Sequence, residues 1–145
     1  MKIKITNQEA GVLAEAIGAL DGGTVTQVVE GRAVAVQRTF RLGHAARWAL
    51  ARNLGRLQSA LADFQRARSS LIREHTGGGE ALSAAHPGFA AFARDFGQLL
   101  QEPVELDLAP VRLEDLKLEA NEQAGNEVPI GVLNSLLRLI NQEHQ

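Results

Sequence analysis

The chain has 145 residues, with 15 basic and 17 acidic side chains, 45% apolar residues, one Trp, no Tyr and no Cys. That size and an ordinary hydropathy point to one folded domain over residues 1–145, and they exclude a disordered chain. No apolar run approaches the roughly 18 residues of a membrane span, and the absence of Cys excludes disulfides, thiolate chemistry and Cys-containing zinc sites.

The opening Lys2-Ile3-Lys4-Ile5-Thr6 alternates and predicts a short strand with its Ile face inward. It lacks the apolar segment of a secretory signal, so a cytoplasmic protein is expected, without a membrane partner. Thr6 and Glu9 stand at capping-box spacing, and Val12, Leu13, Ala16, Ile17 and Leu20 then form an apolar helical stripe that stops at Asp21-Gly22-Gly23. Residues 24–29 and 33–40 are β-branched and alternating around Glu30-Gly31-Arg32, which predicts a β-hairpin appendage over 24–41 with Gly31 at positive φ.

From His44 to His75 there is no Pro, and Ala, Leu, Arg and Gln dominate up to Thr76-Gly77-Gly78-Gly79. This is the long central helix. Leu50, Leu54, Leu57, Leu61, Phe64 and Leu71 repeat at heptad-like spacing on one face. A rod of that length measures roughly 48 Å at ~1.5 Å per residue, against a diameter of roughly 35–40 Å for a compact domain of this size. Part of its seam is therefore expected to meet another copy of the chain, unless the helix breaks near Gly55 or Ser69-Ser70.

Phe89, Phe92, Phe96, Leu99 and Leu100 give a second amphipathic helix that folds back on the first as a helical hairpin, with Phe packing dominating the core. Residues 103–108 alternate as a strand, available to pair with the N-terminal one. Leu113 to Leu116 reads as a turn or short helix, 119–128 as a polar loop, and Pro129 to Asn141 as a last helix. The fold class expected is α+β, mostly α: a long central helix in a helical hairpin with a small antiparallel sheet and a β-hairpin.

Charge is segregated along the chain. Residues 1–31 are net −2, residues 32–73 hold nine Arg and only Asp63 for net +8, and residues 74–145 are net −8. The basic middle and acidic end can neutralise each other within a subunit, pair between subunits, or leave the basic surface free for an anionic partner.

The sequence resembles a family of small, uncharacterised phage proteins that pair an N-terminal strand and helix with a long central helix and an acidic strand. The residues that carry this likeness are Lys2-Ile3-Lys4-Ile5-Thr6-Asn7, Ala49-Leu50-Ala51-Arg52-Asn53, Phe64, Arg66-Ala67-Arg68 and Leu71-Ile72. They continue with Val104-Glu105-Leu106-Asp107-Leu108, Leu113-Glu114-Asp115-Leu116 and Pro129-Ile130. Residues 24–41 look like extra material relative to the shortest members. The resemblance implies a phage or prophage origin, and hence the cytoplasm of an infected bacterium; it brings no established activity.

His44, His75, His86 and His144 form no close pair, Gly77-Gly78-Gly79-Glu80 lacks the Lys-Ser/Thr of a phosphate loop, and Ser69-Ser70 has no neighbouring base. Glu105 and Asp107 share a strand face and read either as a carboxylate pair or as the solvated face. No catalytic residue, metal ligand or cofactor site is predicted.

At about 100° per residue from Leu50, Trp48, Arg52, Arg56, Ser59, Asp63, Arg66, Ser70 and Arg73 fall between about 140° and 240°, opposite the seam. The only Trp sits on the Arg face. An indole beside guanidinium groups can stack a flat ring while the guanidiniums hold phosphates, which makes Arg38, Arg41, Arg47, Trp48, Arg52 and Arg56 the candidate ligand site. The competing reading has Trp48 covered by the hairpin, with the Arg side chains exposed or paired to the acidic half. Arg68 falls back on the seam and is expected to need an acidic or carbonyl partner. Two functions follow from these readings. One is a non-enzymatic, homo-oligomeric phage protein that sequesters a small anionic nucleotide-type signalling molecule against host defence. The other is a virion tail or head assembly protein acting through helix contacts. Nucleic acid is disfavoured, because interleaved aromatics are missing and the overall charge is acidic.

Overall fold

The computed structural model describes residues 1–20, 24–37 and 39–140, with backbone alone for 24–27, 36 and 37. In chain order the elements are β1 (Lys2–Thr6), α1 (Asn7–Leu20), β2 (Thr24–Val29), β3 (Arg32–Gln37), α2 (His44–Thr76), α3 (Phe89–Leu100), β4 (Pro103–Asp107), a 3-10 turn at Leu113–Leu116, α4 (Leu118–Gln123) and α5 (Ile130–Leu136). The architecture is α+β and mostly α, as the sequence predicts.

β1 and β4 pair antiparallel, Ile3 opposite Leu106 and Ile5 opposite Val104, so the apolar faces of two alternating segments coincide. Thr6 and Glu9 close the capping box: the Thr6 amide donates to Glu9 Oε1 and the Glu9 amide to Thr6 Oγ1, both at 3.1 Å. α1 then buries Ala10, Leu13, Ala16, Ile17 and Leu20, while Val12 stays half exposed.

β2 and β3 form a hairpin in which Val29 faces Arg32 across the two-residue turn Glu30-Gly31. Both turn residues take positive φ, 51° and 77°. That is the geometry whose twist matches a two-residue hairpin, and Gly31 adopts it without strain. The described side chains of residues 28–35 are all exposed, and the hairpin packs substantially only on itself.

α2 runs unbroken through Gly55 and Ser69-Ser70 for 33 residues and stops at Gly77, whose φ of 70° forms a left-handed C-cap. Its buried line is Ala46, Ala49, Leu50, Asn53, Leu57, Phe64 and Ile72. The heptad seam is thus rotated by a fraction of a turn, leaving Leu54, Leu61 and Leu71 half-buried. α1 packs on its first half and α3 on its second. The chain therefore covers its own rod, and the length of the helix by itself does not call for a second copy.

The main core gathers α1, the first half of α2, Phe40, Leu108, Val111, Leu116, Val128, Leu136 and Leu139. The Phe side chains do not dominate it. Phe64, Phe89, Phe92 and Phe96 instead make a separate aromatic file between α2 and α3, with ring centroids 5.5 to 6.4 Å apart. Arg68 is also placed differently from expectation: it is exposed, its guanidinium 5.8 Å from the Phe96 ring centre, so a π-face stands where an acidic or carbonyl partner was expected.

Two C-terminal readings are corrected. Residues 118–123 are helical, because Leu116 and the buried Asn121 anchor them to the core. α5 ends at Leu136, since the chain then unwinds to place Leu139 in the core and to bridge Val111 with Ile140; the Val111 amide donates to the Leu139 carbonyl at 2.6 Å. The predicted last residue of that helix, Asn141, lies outside the described residues.

Candidate functional site

α2 begins without an acidic residue in its first turn and without a side-chain cap. Its start is held from outside. The Gly43 amide donates to the Asp115 carbonyl at 2.7 Å, and Asn121 grips both sides of the Arg41 backbone, accepting from its amide at 2.7 Å and donating to its carbonyl at 2.9 Å. Asn121 donates a further bond to the Leu116 carbonyl at 3.0 Å and is 0% exposed. One buried amide thus fixes where the hairpin leaves the core and where the arginine-bearing end of α2 begins.

On that end Trp48 is 68% exposed. The hairpin does not cover it. Arg52 lies one turn on and Arg41 and Arg47 before it, all exposed, and among the described residues no carboxylate forms an ion pair with any of the three. Arg47 also lines a crevice of about 50 Å³ together with Ile17, Leu20, Leu42, Leu50, Ala51 and Leu54. Arg38 lies outside the described residues. Arg56 turns away from the others and donates to the Asp107 carbonyl of β4. Arg41, Arg47, Trp48 and Arg52 thus lie exposed along the first turns of α2 and the segment before it, while Arg56 is engaged at β4.

The ion pairs among the described residues are elsewhere: Arg66 with Asp63, Arg112 with Glu114, Arg138 with Glu9, the Met1 amine with Asp107, and His75 with Asp95 when the imidazole is protonated. Among the described residues no ion pair joins the basic segment to the acidic one; their link is Arg56, which bonds the Asp107 carbonyl and helps lower the Asp107 carboxyl.

A cleft of about 540 Å³ opens between the middle of α2, the end of α3 and β4. Ala60, Phe64, Ala67, Leu99, Val104 and Leu106 give it apolar walls, while Arg56, Ser59, Asp63, Glu105 and Asp107 give it a polar rim. Glu105 and Asp107 are both exposed and face Lys4 and Lys2 across the ribbon, the solvated-face arrangement. The amino terminus donates to Asp107 Oδ1 at 3.1 Å and holds that carboxyl below the usual carboxylate range. No set of three or more His, Asp or Glu suited to a metal occurs among the described residues. The half-buried His75 bonds Asp95 at 2.8 Å through Nε2 and meets the Phe92 ring edge-on; it ties α2 to α3. Among the described residues no helix is long and apolar enough to cross a membrane. No protein-family model, curated protein or solved structure matches the chain.

Sequence reasoning missed Asn121 and the structural use of Asn53. Asn53 had a visible signal: it sits at about −60° from Leu50, inside the apolar stripe, where an amide is costly unless paired. Asn121 had none, lying in a segment that reads as uniformly polar.

Proposed function

We propose that this chain is a non-enzymatic binding protein whose arginine face, centred on Trp48, receives an anionic partner bearing a flat ring. The observation behind this reading is the pairing of a two-thirds exposed indole with arginines that have no carboxylate partner among the described residues. A large exposed aromatic is unusual on a surface that needs only solubility, and guanidiniums beside it supply bidentate contacts to phosphate. Nucleotide-type signalling molecules have this chemistry. The finer reading is sequestration of such a molecule, in line with the phage-protein resemblance and a role against host defence. The site is an open helix face, and small ligands bind strongly in concave sites, so this reading takes a homo-oligomer in which a second copy closes over Trp48.

A screen of cyclic dinucleotides and ADP-ribose-type nucleotides by thermal shift and calorimetry tests it. A rise in melting temperature that Trp48→Ala and Arg52→Ala abolish is expected, while Arg94→Ala on α3 leaves it intact. No response to any member of the screen refutes the nucleotide reading. The exposed valines of the β2–β3 hairpin favour a second reading, virion assembly through protein contacts. Co-purification with tail or head proteins from infected cells, lost on altering the hairpin, would establish that one.

A further inference from the structure

Among the described residues no third strand pairs with either two-stranded sheet, and two of the edges left open suit each other. The first is β4. The Met1 amine donates to the Leu108 carbonyl and the Leu108 amide to the Met1 carbonyl, and the Asn7 amide donates to the Glu102 carbonyl. These bonds fix the phase of the ladder: Val104 and Leu106 exchange bonds with β1, and the backbone groups of Pro103, Glu105 and Asp107 point the other way. The Arg56 guanidinium confirms the direction by reaching the outward Asp107 carbonyl. The Pro103 carbonyl, both backbone groups of Glu105 and the Asp107 amide remain along that edge, and no described strand pairs with them. This row borders the 540 Å³ cleft, where Ala60 and Ala67 of α2 keep the facing wall low.

The second is the hairpin. Val29 and Arg32 flank its two-residue turn as a bonded pair, so Thr26 and Val28 on one strand, and Ala33 and Ala35 on the other, turn their backbone groups outward. Val28 is 77% exposed and Val34 40%. A two-stranded ribbon with no further strand described at either edge, and with Val28, Val29 and Val34 exposed, is marginal on its own and is the form of edge that recruits another strand.

We propose that the β2–β3 hairpin of one copy adds to the β4 edge of another, making a four-stranded sheet roofed by α2. Four outward backbone groups of β4 meet the outward groups of a hairpin strand, and Ala33, Val34 and Ala35 bring small apolar side chains to the apolar walls of the cleft. Arg56 occupies the last carbonyl and sets where the added strand stops. The contact is heterologous, so copies join head to tail and close as a ring or extend as a chain. The pairing of edges uses neither Trp48 nor Arg52, so substitutions at those two residues test ligand binding without touching it.

Light scattering coupled to size-exclusion chromatography reads the outcome. The wild-type chain is expected to run at multiples of its 15.6 kDa mass as concentration rises. Glu105→Pro removes an outward amide and no ladder bond, and is expected to run as a monomer with unchanged circular dichroism. The double variant Thr26→Pro/Ala35→Pro blocks both hairpin edges and is likewise expected to be monomeric. Mixed together, these two monomers retain one good edge each and should form a heterodimer. Hydrogen exchange gives a readout free of substitutions: the Glu105 and Asp107 amides exchange quickly in dilute wild-type protein and become protected in concentrated samples. A wild type that stays monomeric, an oligomer indifferent to Glu105→Pro, a mixture with no heterodimer, or edge amides whose exchange ignores concentration would each overturn the proposal. Loss of nucleotide binding in Trp48→Ala with assembly intact leaves it standing.

Discussion

Asn53 offers a sharp test of how this fold is held. Its side chain is 0% exposed and clasps one residue of the chain leaving β4: Oδ1 accepts from the Ala109 amide at 2.7 Å and Nδ2 donates to the Ala109 carbonyl at 2.9 Å. Asn53→Ala removes both bonds, each worth about 0.5–1.5 kcal/mol net, and strands a donor and an acceptor at roughly 1–3 kcal/mol apiece where water does not reach them. These overlap, and Ala109 is only half-buried, which places the loss at about 2–4 kcal/mol. For a chain of this size that is roughly 6–16 °C in melting temperature. Urea titration followed by circular dichroism measures it. Asn53→Asp sharpens the test, because it keeps the acceptor for the amide but sets a second oxygen against the Ala109 carbonyl. Its carboxyl should have a folded-state pKa above the unfolded value, so the variant regains stability on acidification and loses it as pH rises through the folded pKa. A loss below about 1 kcal/mol for the Ala variant, or an Asp variant with the pH profile of the wild type, would show that the clasp is incidental.

Other outcomes follow from the same geometry. Asn121→Ala should cost a similar ~2–4 kcal/mol and, by releasing Arg41, raise amide exchange across residues 39–43 before the rest of the chain opens. Thr6→Ala should cost about 1 kcal/mol in urea titration through the lost α1 cap. The Glu9 carboxyl is held below its ordinary value, first by the Thr6 amide and then by Arg138, so its contribution is present above the unfolded carboxylate pKa and lost as pH falls through the folded one. In Glu9→Gln the acid limb of the stability profile should flatten. Trp48→Ala should leave stability within about 0.5 kcal/mol, and the wild-type indole should be fully quenched by iodide, whereas a shielded indole would contradict its exposure.

The strands and helices up to residue 108 were legible because each repeats a single period over enough residues: Ile3 and Ile5 against Val104 and Leu106, the Thr6–Glu9 cap, the Glu30-Gly31 turn, and the uninterrupted helix to Thr76. What periodicity cannot supply is the exact facing of a long amphipathic helix. Asn53 belongs to the buried line only because a backbone segment far along the chain brings it an amide and a carbonyl, and counting apolar residues alone turns the seam away from it. The same holds beyond residue 108, where Asn121 and Leu139 are inside for tertiary reasons while their neighbours are polar. The Arg face was legible for the opposite reason, since exposure asks nothing of partners. Arg56 left that group because the Asp107 carbonyl, outward at a sheet edge, offered a better acceptor than water.

Asn53 and Asn121 act alike, each closing both hydrogen-bonding sides of one distant residue, and together they fix the two ends of what surrounds α2. Asn121 sets the hairpin exit and Asn53 sets the departure of β4. The hairpin and the β4 edge therefore spring from anchored roots, and Arg41 lies at the root of the hairpin. A chain that needed only a stable monomer would gain by folding its hairpin onto the β4 edge; here Phe40 and Arg41 are fastened to the core at the start of α2, while the cleft lies some four turns further along that helix, near Ala60. Rigid anchoring thus keeps the hairpin and the β4 edge apart within one copy, which is the geometry that the proposed pairing between copies requires.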